Sequence, residues 1–328
     1  MGRVACIDIG TVTCRLAVAD VQGGRVQNLH KLSTIVDVGE NLTATGVICD
    51  AAKERLLTCI DGYLVEARAK EAPVICCTLT SAARDASNSD ELLAALAERG
   101  LTAQVIPGDV EGRLTLLGVC QDFPDTLVLV ADNGGGSTEF ALGMLGESGF
   151  DVRAIRSVDV GCRRMTERFL QAGDPPSAAD IAAAHEFAAA PFEQTVRDLG
   201  LRDAGAKRLV VTGGTVTSLV AVDARLEPYD SSYVHLHELT IQQVEQLERM
   251  LASITVAQRA QLPGLQPKRA RVILGGAIAV SELMRATGFD RLTVSESDLL
   301  YGLSLTVDAV CTGAPSPVSW EPKLSHLV

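Results

Sequence analysis

Two carboxylates bracket a run of three glycines near the middle of the chain, and this segment has the chemistry of a phosphate site. Residues 132–139 read DNGGGSTE and lie between two apolar, strand-like runs. Glycines lack a Cβ, so their backbone amides can approach an anion closely, and clusters of such amides bind phosphate oxygens. The flanking carboxylates suit Mg²⁺, the usual partner of phosphates. A glycine-rich hairpin turn is the simpler alternative. The candidate ligands are Asp132 and Glu139 for the metal, and Gly134, Gly135, Gly136, Ser137 and Thr138 for phosphate.

A segment near the N-terminus repeats this pattern. Placing Asp8 on Asp132 puts Gly10 on Gly134 and Thr13 on Ser137, so both segments read as strand, Asp-x-Gly, small hydroxyl residue, strand. Two copies of one β-turn-β unit predict duplicated domains that face each other across a cleft. A hairpin with polar turn residues is again the alternative. The phosphate candidates here are Asp8, Gly10, Thr11, Thr13 and Arg15, whose guanidinium can offset phosphate charge.

Two further segments offer groups for an anion. The sequence TGGT at residues 212–215 ends a predicted strand and opens a helix, and helix N-termini bind anions. Its candidates are Gly213, Gly214 and Thr215, although tight packing of strand and helix explains the glycines equally well. Arg84 lies in TSAARDASN, which follows a buried strand, and from there its guanidinium can bind phosphate. An exposed arginine at a helix start is the equal alternative.

Glu111 lies in the segment IPGDVEGRL, after a predicted strand. Spacing alone does not separate it from Asp109 or Arg113. The chain has no GxxxxGK[ST] phosphate loop, no GxGxxG after a strand and no GxSxG nucleophile motif. The histidines have no metal-ligand spacing. If the chain is a hydrolase, direct attack by an activated water is therefore the economical mechanism.

The bulk composition limits the function classes. The chain has 328 residues and a net charge of −12, and it has no basic stripe, which argues against nucleic-acid binding. It has no apolar run of about 18 residues that could span a membrane, and its N-terminus lacks a secretory layout. Its nine cysteines are irregularly spaced, which predicts free thiols and a cytoplasmic location.

The elements that must position these residues form an α/β pattern in two blocks. We predict a first domain over residues 1–124 and a second over residues 125–305. The last helix, near 297–310, can pack back on the first domain. Residues 313–328, rich in proline, are predicted to be a loose tail.

Taken together, the motifs resemble the exopolyphosphatase/guanosine pentaphosphatase (Ppx/GppA) family of the actin-like ATPase superfamily. The resemblance covers about residues 4–305. It runs in order through CIDIGTVTCRL, VGENLTATGVI, TSAARDASN, VIPGDVEGRLTLLGV, VADNGGGSTEFALG, SVDVGCRRMTERF, VVTGGTVTSL and LPGLQPKRARVILGG. It implies an α/β fold of two duplicated actin-like (ribonuclease H-like) domains with an interdomain cleft. It also implies Mg²⁺- or Mn²⁺-dependent release of terminal phosphate from inorganic polyphosphate or guanosine pentaphosphate, with a homodimer as the expected state.

Position by position, the resemblance assigns Glu111 as the catalytic glutamate that polarises the attacking water. It assigns Asp132, Glu139 and Asp8 to the metal, and Arg84 and the two loops to phosphate. Three departures from the family pattern stand out: Val12 replaces a polar residue, and Asp37 and Leu300 stand where arginines are usual. They leave open a catalytically weak regulator that binds phosphate or an alarmone. A sugar or acetate kinase is disfavoured, because the glutamate of the EGR segment suits water activation.

Overall fold

The structure, a computed structural model, describes residues 2–147 and 149–327. Its strands are β1 (Gly2–Ile9), β2 (Thr13–Gln22), β3 (Arg25–Ile35), β4 (Val74–Leu79), β5 (Gln104–Val105), β6 (Val128–Asn133), β7 (Thr138–Gly146), β8 (Gly149–Val158), β9 (Arg208–Thr212), β10 (Glu238–Thr240), β11 (Arg291–Val294) and β12 (Leu324–His326). Its helices are α1 (Leu42–Thr45), α2 (Asp50–Ala69), α3 (Ser81–Asp85), α4 (Ser89–Ala97), α5 (Gly108–Val119), α6 (Cys162–Phe169), α7 (Ala178–Asp198), α8 (Gly214–Asp223), α9 (Ser231–Val234), α10 (Ile241–Ala252), α11 (Val256–Arg259), α12 (Ile273–Thr287) and α13 (Leu299–Cys311).

These elements form two compact units. Unit 1 contains the chain up to Gln121 and again from Leu299 onward, and unit 2 contains Asp122–Asp298. The first break therefore falls between residues 121 and 122, three residues before the predicted boundary. The final helix, α13, belongs to unit 1, where it packs on α5 and β1. Gly302 permits this packing, because a Cβ there would collide with the carbonyl of Leu114.

The sheet of unit 1 has the order β12-β4-β1-β2-β3, and β5 pairs with β4. Strand β1 runs antiparallel to β2 and parallel to β4. The prediction of a loose tail is wrong at its end, because Leu324–His326 forms β12 and pairs antiparallel with β4. Val318 of the tail is also buried. The physical reason is that β12 satisfies backbone groups at an edge of the sheet that would otherwise be open.

The sheet of unit 2 has the order β10-β11-β9-β6-β7-β8. Strand β6 runs antiparallel to β7 and parallel to β9. The segment β9-β6-β7-β8 therefore has the same order and directions as β4-β1-β2-β3 in unit 1. The repeat that aligned Asp8 with Asp132 thus reflects a duplicated sheet, with the two aspartates at equivalent places in their strands.

Helices cover the sheets and close an apolar core in each unit. In unit 2, Phe140 of β7 meets Phe192 of α7 edge to face, with ring centroids 5.4 Å apart. In unit 1, Tyr63 of α2 donates a hydrogen bond to the carbonyl of Cys14, at 3.0 Å. All nine cysteines are free thiols, as the sequence predicts. Among the described residues, no helix combines the length and apolar character needed to cross a membrane.

Candidate active site

The glycine loop of unit 2 is the turn of the β6–β7 hairpin. The amide of Gly134 donates to the carbonyl of Ser137 at 3.0 Å and closes the turn. In the register of the two strands, Asp132 lies directly opposite Glu139. Side chains at opposed positions point to the same face of a sheet. The hairpin therefore presents two carboxylates side by side at the base of the glycine loop.

The start of α6 holds the carbonyl groups of this loop. The amide of Cys162 donates to the Gly134 carbonyl at 3.0 Å, and the amide of Arg163 donates to the Gly135 carbonyl at 2.8 Å. The Nε of Arg164 donates to the Gly136 carbonyl at 2.8 Å. In a trans peptide the N–H points away from the C=O. The amides of residues 135–137 therefore point away from α6, and within the described chain those of Gly135 and Gly136 donate no hydrogen bond.

The glycine that precedes α6 is required by close packing against the glycine loop. A Cβ on Gly161, just before α6, would lie 2.5 Å from the carbonyl carbon and oxygen of Gly135. The carbonyl side of the loop packs against α6, while its amide side is available to an anion.

The two carboxylates fit the ligand chemistry of Mg²⁺. Asp132 and Glu139 are 7% and 1% exposed, and Ser157 donates a hydrogen bond to Oε1 of Glu139 at 2.7 Å. No cluster of three or more histidine, cysteine, aspartate or glutamate side chains suited to a metal occurs among the described residues. Mg²⁺ is usually held by one or two carboxylates together with water and substrate phosphates. A site of two carboxylates that is completed by substrate matches that preference.

The TGGT turn lies beside the same carboxylates. Thr212 ends β9 in register with Asp132, and its buried hydroxyl oxygen has no hydrogen-bond partner among the described residues. Gly213 has a φ of +107°, and a Cβ there would lie 2.6 Å from the carbonyl oxygen of Asn133 and 3.4 Å from Oδ1 of Asp132. Gly214 begins α8 and contacts the guanidinium of Arg269. The structure thus brings this turn to the base of the glycine loop.

Two predicted phosphate ligands have other partners. The Thr138 hydroxyl is fully buried, donates to the carbonyl of Val160 at 2.6 Å and accepts from Asn133. Thr215 is buried against Gly276 of α12. Successive side chains of a strand point to opposite faces, so Thr138 faces away from Ser137 and Glu139. The Thr138 hydroxyl thus has partners within the protein, and the role of both threonines in phosphate binding stays a prediction.

The equivalent loop of unit 1 has a different pair at its base. Arg15 lies opposite Asp8, and its Nη2 and Nε donate to Oδ2 of Asp8 at 2.6 and 3.0 Å. The site residues Gly10 and Thr13 close the turn through an N–H···O bond of 3.0 Å, just as Gly134 and Ser137 do. The amide of Gly39 donates to the carbonyl of Thr11 at 2.8 Å. Arg15 thus neutralises Asp8, which makes Asp8 a weaker candidate for a metal ligand than Asp132.

Glu111 and Arg84 form an ion pair in unit 1. Nη1 of Arg84, on α3, donates to Oε2 of Glu111 at 2.7 Å and to the carbonyl of Ile106 at 2.9 Å. Glu111 lies in the first turn of α5, and its side chain is 11% exposed. Arg84 thus holds the glutamate in place, and its role in phosphate binding stays a prediction. Its guanidinium favours the ionised carboxylate, which is the form that accepts a proton.

The three departures from the family pattern lie in unit 1. Val12 is buried in the turn, and its carbonyl accepts from the amides of Val36 and Asp37. Asp37 adopts a left-handed conformation with a φ of 53°. Leu300 is fully buried in α13. An apolar side chain at 300 therefore joins the core of unit 1.

Sequence reasoning missed four residues that support the site: Ser157, Gly161, Arg164 and Thr212. The first three lie within the segment SVDVGCRRMTERF and Thr212 is the first residue of TGGT, but their roles depend on contacts between segments that are distant in sequence. The three consecutive apolar residues that precede Thr212 in β9 could have indicated that this strand, and with it the Thr212 hydroxyl, is buried.

Comparisons with known proteins agree with this architecture. The model of the Ppx/GppA phosphatase family matches residues 17–306. Exopolyphosphatase 2 of Mycobacterium tuberculosis is 35% identical over 321 residues, which cover 93% of this chain and 98% of that protein. The bifunctional 3-dehydroquinate synthase/phosphatase of Fusobacterium nucleatum is 31% identical, and the match covers 92% of this chain and 46% of that protein.

Solved structures give the same result. The crystal structure of an exopolyphosphatase-like protein matches with a TM-score of 0.84 and 29% identity, covering 93% of this chain and 97% of that one. The Ppx/GppA family member of Aquifex aeolicus matches with a TM-score of 0.75 and 28% identity, covering 96% and 99% of the two chains. The predicted family, the α/β fold class and the class of phosphoanhydride hydrolase are confirmed. The chain belongs to the Ppx/GppA phosphatase family.

Proposed function

We propose that this chain is a metal-dependent exopolyphosphatase that releases the terminal phosphate of inorganic polyphosphate. The observation that carries the proposal is the glycine loop of unit 2, whose amides point away from α6 beside the buried pair Asp132 and Glu139. The 35% identity to an exopolyphosphatase over nearly its whole length supports the same activity.

In this proposal the terminal phosphate binds the amide side of the glycine loop. The amides of Gly135, Gly136 and Ser137 donate to its oxygens, and the Thr212 hydroxyl lies beside Asp132 to donate another hydrogen bond. Phosphoryl transfer depends mainly on positioning and charge neutralisation. Asp132 and Glu139 would hold Mg²⁺ or Mn²⁺, which supplies the positive charge that a chain of net charge −12 otherwise lacks.

Glu111 accepts a proton from the attacking water. Arg84 fixes the carboxylate through Oε2, and in this proposal the carboxylate so held orients the water. General-base catalysis of this kind contributes about 10²- to 10⁴-fold in rate.

Guanosine pentaphosphate is the alternative substrate, and one observation favours it. Two positions that carry arginine in the family pattern hold Asp37 and the buried Leu300 here. Fewer cations weaken the binding of a long polyanion more than that of a short one. A homodimer in the cytoplasm completes the proposal.

The test measures phosphate release from polyphosphates of several lengths, guanosine pentaphosphate and ATP, with Mg²⁺ or Mn²⁺. We expect Glu111→Gln to lower kcat by about 10²- to 10⁴-fold, because the amide retains a hydrogen bond to Arg84 but cannot accept a proton. Asp109→Asn is the matched control, since Asp109 is exposed on the same helix, and we expect wild-type rates.

Three outcomes would change the proposal. A wild-type kcat for Glu111→Gln would remove its role as the base. Higher kcat/KM on guanosine pentaphosphate than on every polyphosphate would establish the alternative substrate. No phosphate release from any substrate, with micromolar binding of polyphosphate, would identify a regulator.

A further inference from the structure

We infer that Arg164 is a positioning residue that sets the orientation of the phosphate-binding amides, through its hydrogen bond to the Gly136 carbonyl. The inference rests on the proposed function, because it assigns a role in the same site. Arg164 does not face the bound phosphate in this scheme. It acts from the opposite side of the loop.

The loop needs such a support because of its composition. Three consecutive glycines have no side chains to restrict the backbone, so their conformational freedom is the largest that a polypeptide can have. Fixing a residue in a single backbone conformation costs conformational entropy. An unsupported loop would incur this cost whenever it bound phosphate, whereas a loop held in advance does not.

Four hydrogen bonds from the start of α6 provide the support. Three are backbone amides: Cys162 to the Gly134 carbonyl, and Arg163 and Arg164 to the Gly135 carbonyl, at 3.0, 2.8 and 3.1 Å. The fourth comes from the Arg164 side chain, 2.8 Å from the Gly136 carbonyl. That carbonyl belongs to the peptide whose N–H is the Ser137 amide. Arg164 is thus the side chain that orients the last of the three amides.

The charge of Arg164 adds a second effect. A cation that binds a carbonyl oxygen polarises the whole peptide group, and hydrogen bonds in series strengthen one another. The Ser137 N–H, at the other end of that peptide, becomes a stronger donor. The carboxylate of Asp159 lies 3.7 Å from Nη2 of Arg164, but its side chain is 81% exposed. Solvent screening makes such a pair weak, so it does not cancel the effect.

Unit 1 provides an internal comparison. Its loop is held at the same place, by the segment that follows β3: the amides of Val36 and Asp37 bind the Val12 carbonyl, and the Gly39 amide binds the Thr11 carbonyl. These are all backbone donors. That loop contains Thr11 and Val12 in place of glycines, and both side chains are buried. The loop with three glycines therefore has the additional side-chain donor, where the backbone is freest.

The experiment compares Arg164→Met, Arg164→Gln and Arg164→Lys with wild type. The matched control is Arg168→Met, one turn later on α6, where the guanidinium stacks on Phe187 at 4.6 Å. The readouts are KM and kcat on polyphosphate, the dissociation constant of inorganic phosphate by calorimetry, and the thermal midpoint.

Because Arg164→Met and Arg164→Gln lose a charge-assisted hydrogen bond, we expect the dissociation constant of inorganic phosphate to rise about tenfold to a hundredfold in both variants. Lysine, which keeps the charge and a donor, should recover part of this loss. Arg168→Met should lower the thermal midpoint and leave the phosphate constant unchanged.

If Arg164→Met or Arg164→Gln is folded and binds phosphate with the wild-type dissociation constant, the inference is overturned. A constant that rises equally in Arg168→Met also overturns it, since the effect would then follow general destabilisation of α6. Phosphate binding does not require turnover. An inactive wild-type chain that binds phosphate would therefore refute the proposed function and still test Arg164.

Discussion

His185 joins three helices of unit 2 and should make the stability of that unit depend on pH. It lies on α7, and both ring nitrogens contact carboxylates: Nε2 is 2.9 Å from Glu248 on α10, and Nδ1 is 2.7 Å from Glu282 on α12. The ring can donate both hydrogen bonds only when it is protonated. The other charged groups at this cluster are Arg285, which pairs with Glu282, and Glu245, which pairs with Arg285.

The hydrogen bonds to Glu248 and then Glu282 raise the pKa of His185 from its ordinary value of 6.5 to about 9. A group whose pKa is higher in the folded state stabilises the fold fully below its unfolded pKa. The contribution disappears as the pH rises through the folded pKa. Here the window runs from pH 6.5 to about 9. The pKa difference gives a ceiling of about 3 kcal/mol, which screening of this half-buried ring reduces to about 1–2 kcal/mol.

The assay is urea unfolding of wild type and His185→Gln, followed by circular dichroism, at several pH values from 6 to 10. Comparing the two proteins removes the effects of all other titrating groups. We expect the free-energy difference between wild type and variant to shrink by about 1–2 kcal/mol across this range. A difference that stays constant from pH 6 to pH 10 would refute the reasoning.

Two further predictions concern the site. Gly213→Ala should destabilise the chain by about 1–3 kcal/mol, because Gly213 has a φ of +107° and a Cβ would lie 2.6 Å from the Asn133 oxygen. Thermal unfolding measures this loss of stability. Gly205→Ala is the control, because Gly205 also has a positive φ but a Cβ there would meet no other atom. If both variants lose the same stability, the predicted clash with Asn133 does not contribute. Ser157→Ala removes the donor to Glu139 and should raise the Mg²⁺ concentration for half-maximal activity about tenfold. The measurement is a titration of activity with Mg²⁺ after treatment with EDTA. An unchanged midpoint would show that Glu139 does not bind the metal.

The repeated hairpin could be predicted from sequence because its information is local. Apolar runs identify the strands, and Asp-x-Gly identifies the turn, so Asp8 and Asp132 align without knowledge of the fold. The structure places them equivalently, in β1 and β6. The cleft between the domains stays a prediction.

Contacts between distant segments could not be predicted in the same way. Arg84 and Glu111 are 27 residues apart, and no periodicity relates them. The sequence therefore gives no indication of this ion pair, and the role of Arg84 in phosphate binding stays a prediction. The role of Arg164 likewise depends on the return of the chain to the glycine loop after β8.

The orientation of the Thr138 side chain could have been predicted from the sequence. In a strand, side chains alternate between faces. With Glu139 on the carboxylate face, its neighbour Thr138 must point to the opposite side, where it is fully buried. The composition of the loop indicates a hydroxyl ligand, whereas the two-residue period of the strand predicts the buried position that the structure shows; a role of Thr138 in phosphate binding stays a prediction.

The division of unit 1 between two stretches of the chain has a consequence for synthesis on the ribosome. Strand β12 and helix α13 follow all of unit 2 in the sequence, yet they complete the sheet and core of unit 1. Unit 2, which is continuous, can fold as soon as it emerges. Unit 1 cannot complete its fold until about 180 later residues have been made, and until then its β4 edge and its α5 surface stay uncovered. A nascent chain therefore has a period in which its first-made half is the last to mature, and a chaperone that binds uncovered strand edges would act on that half.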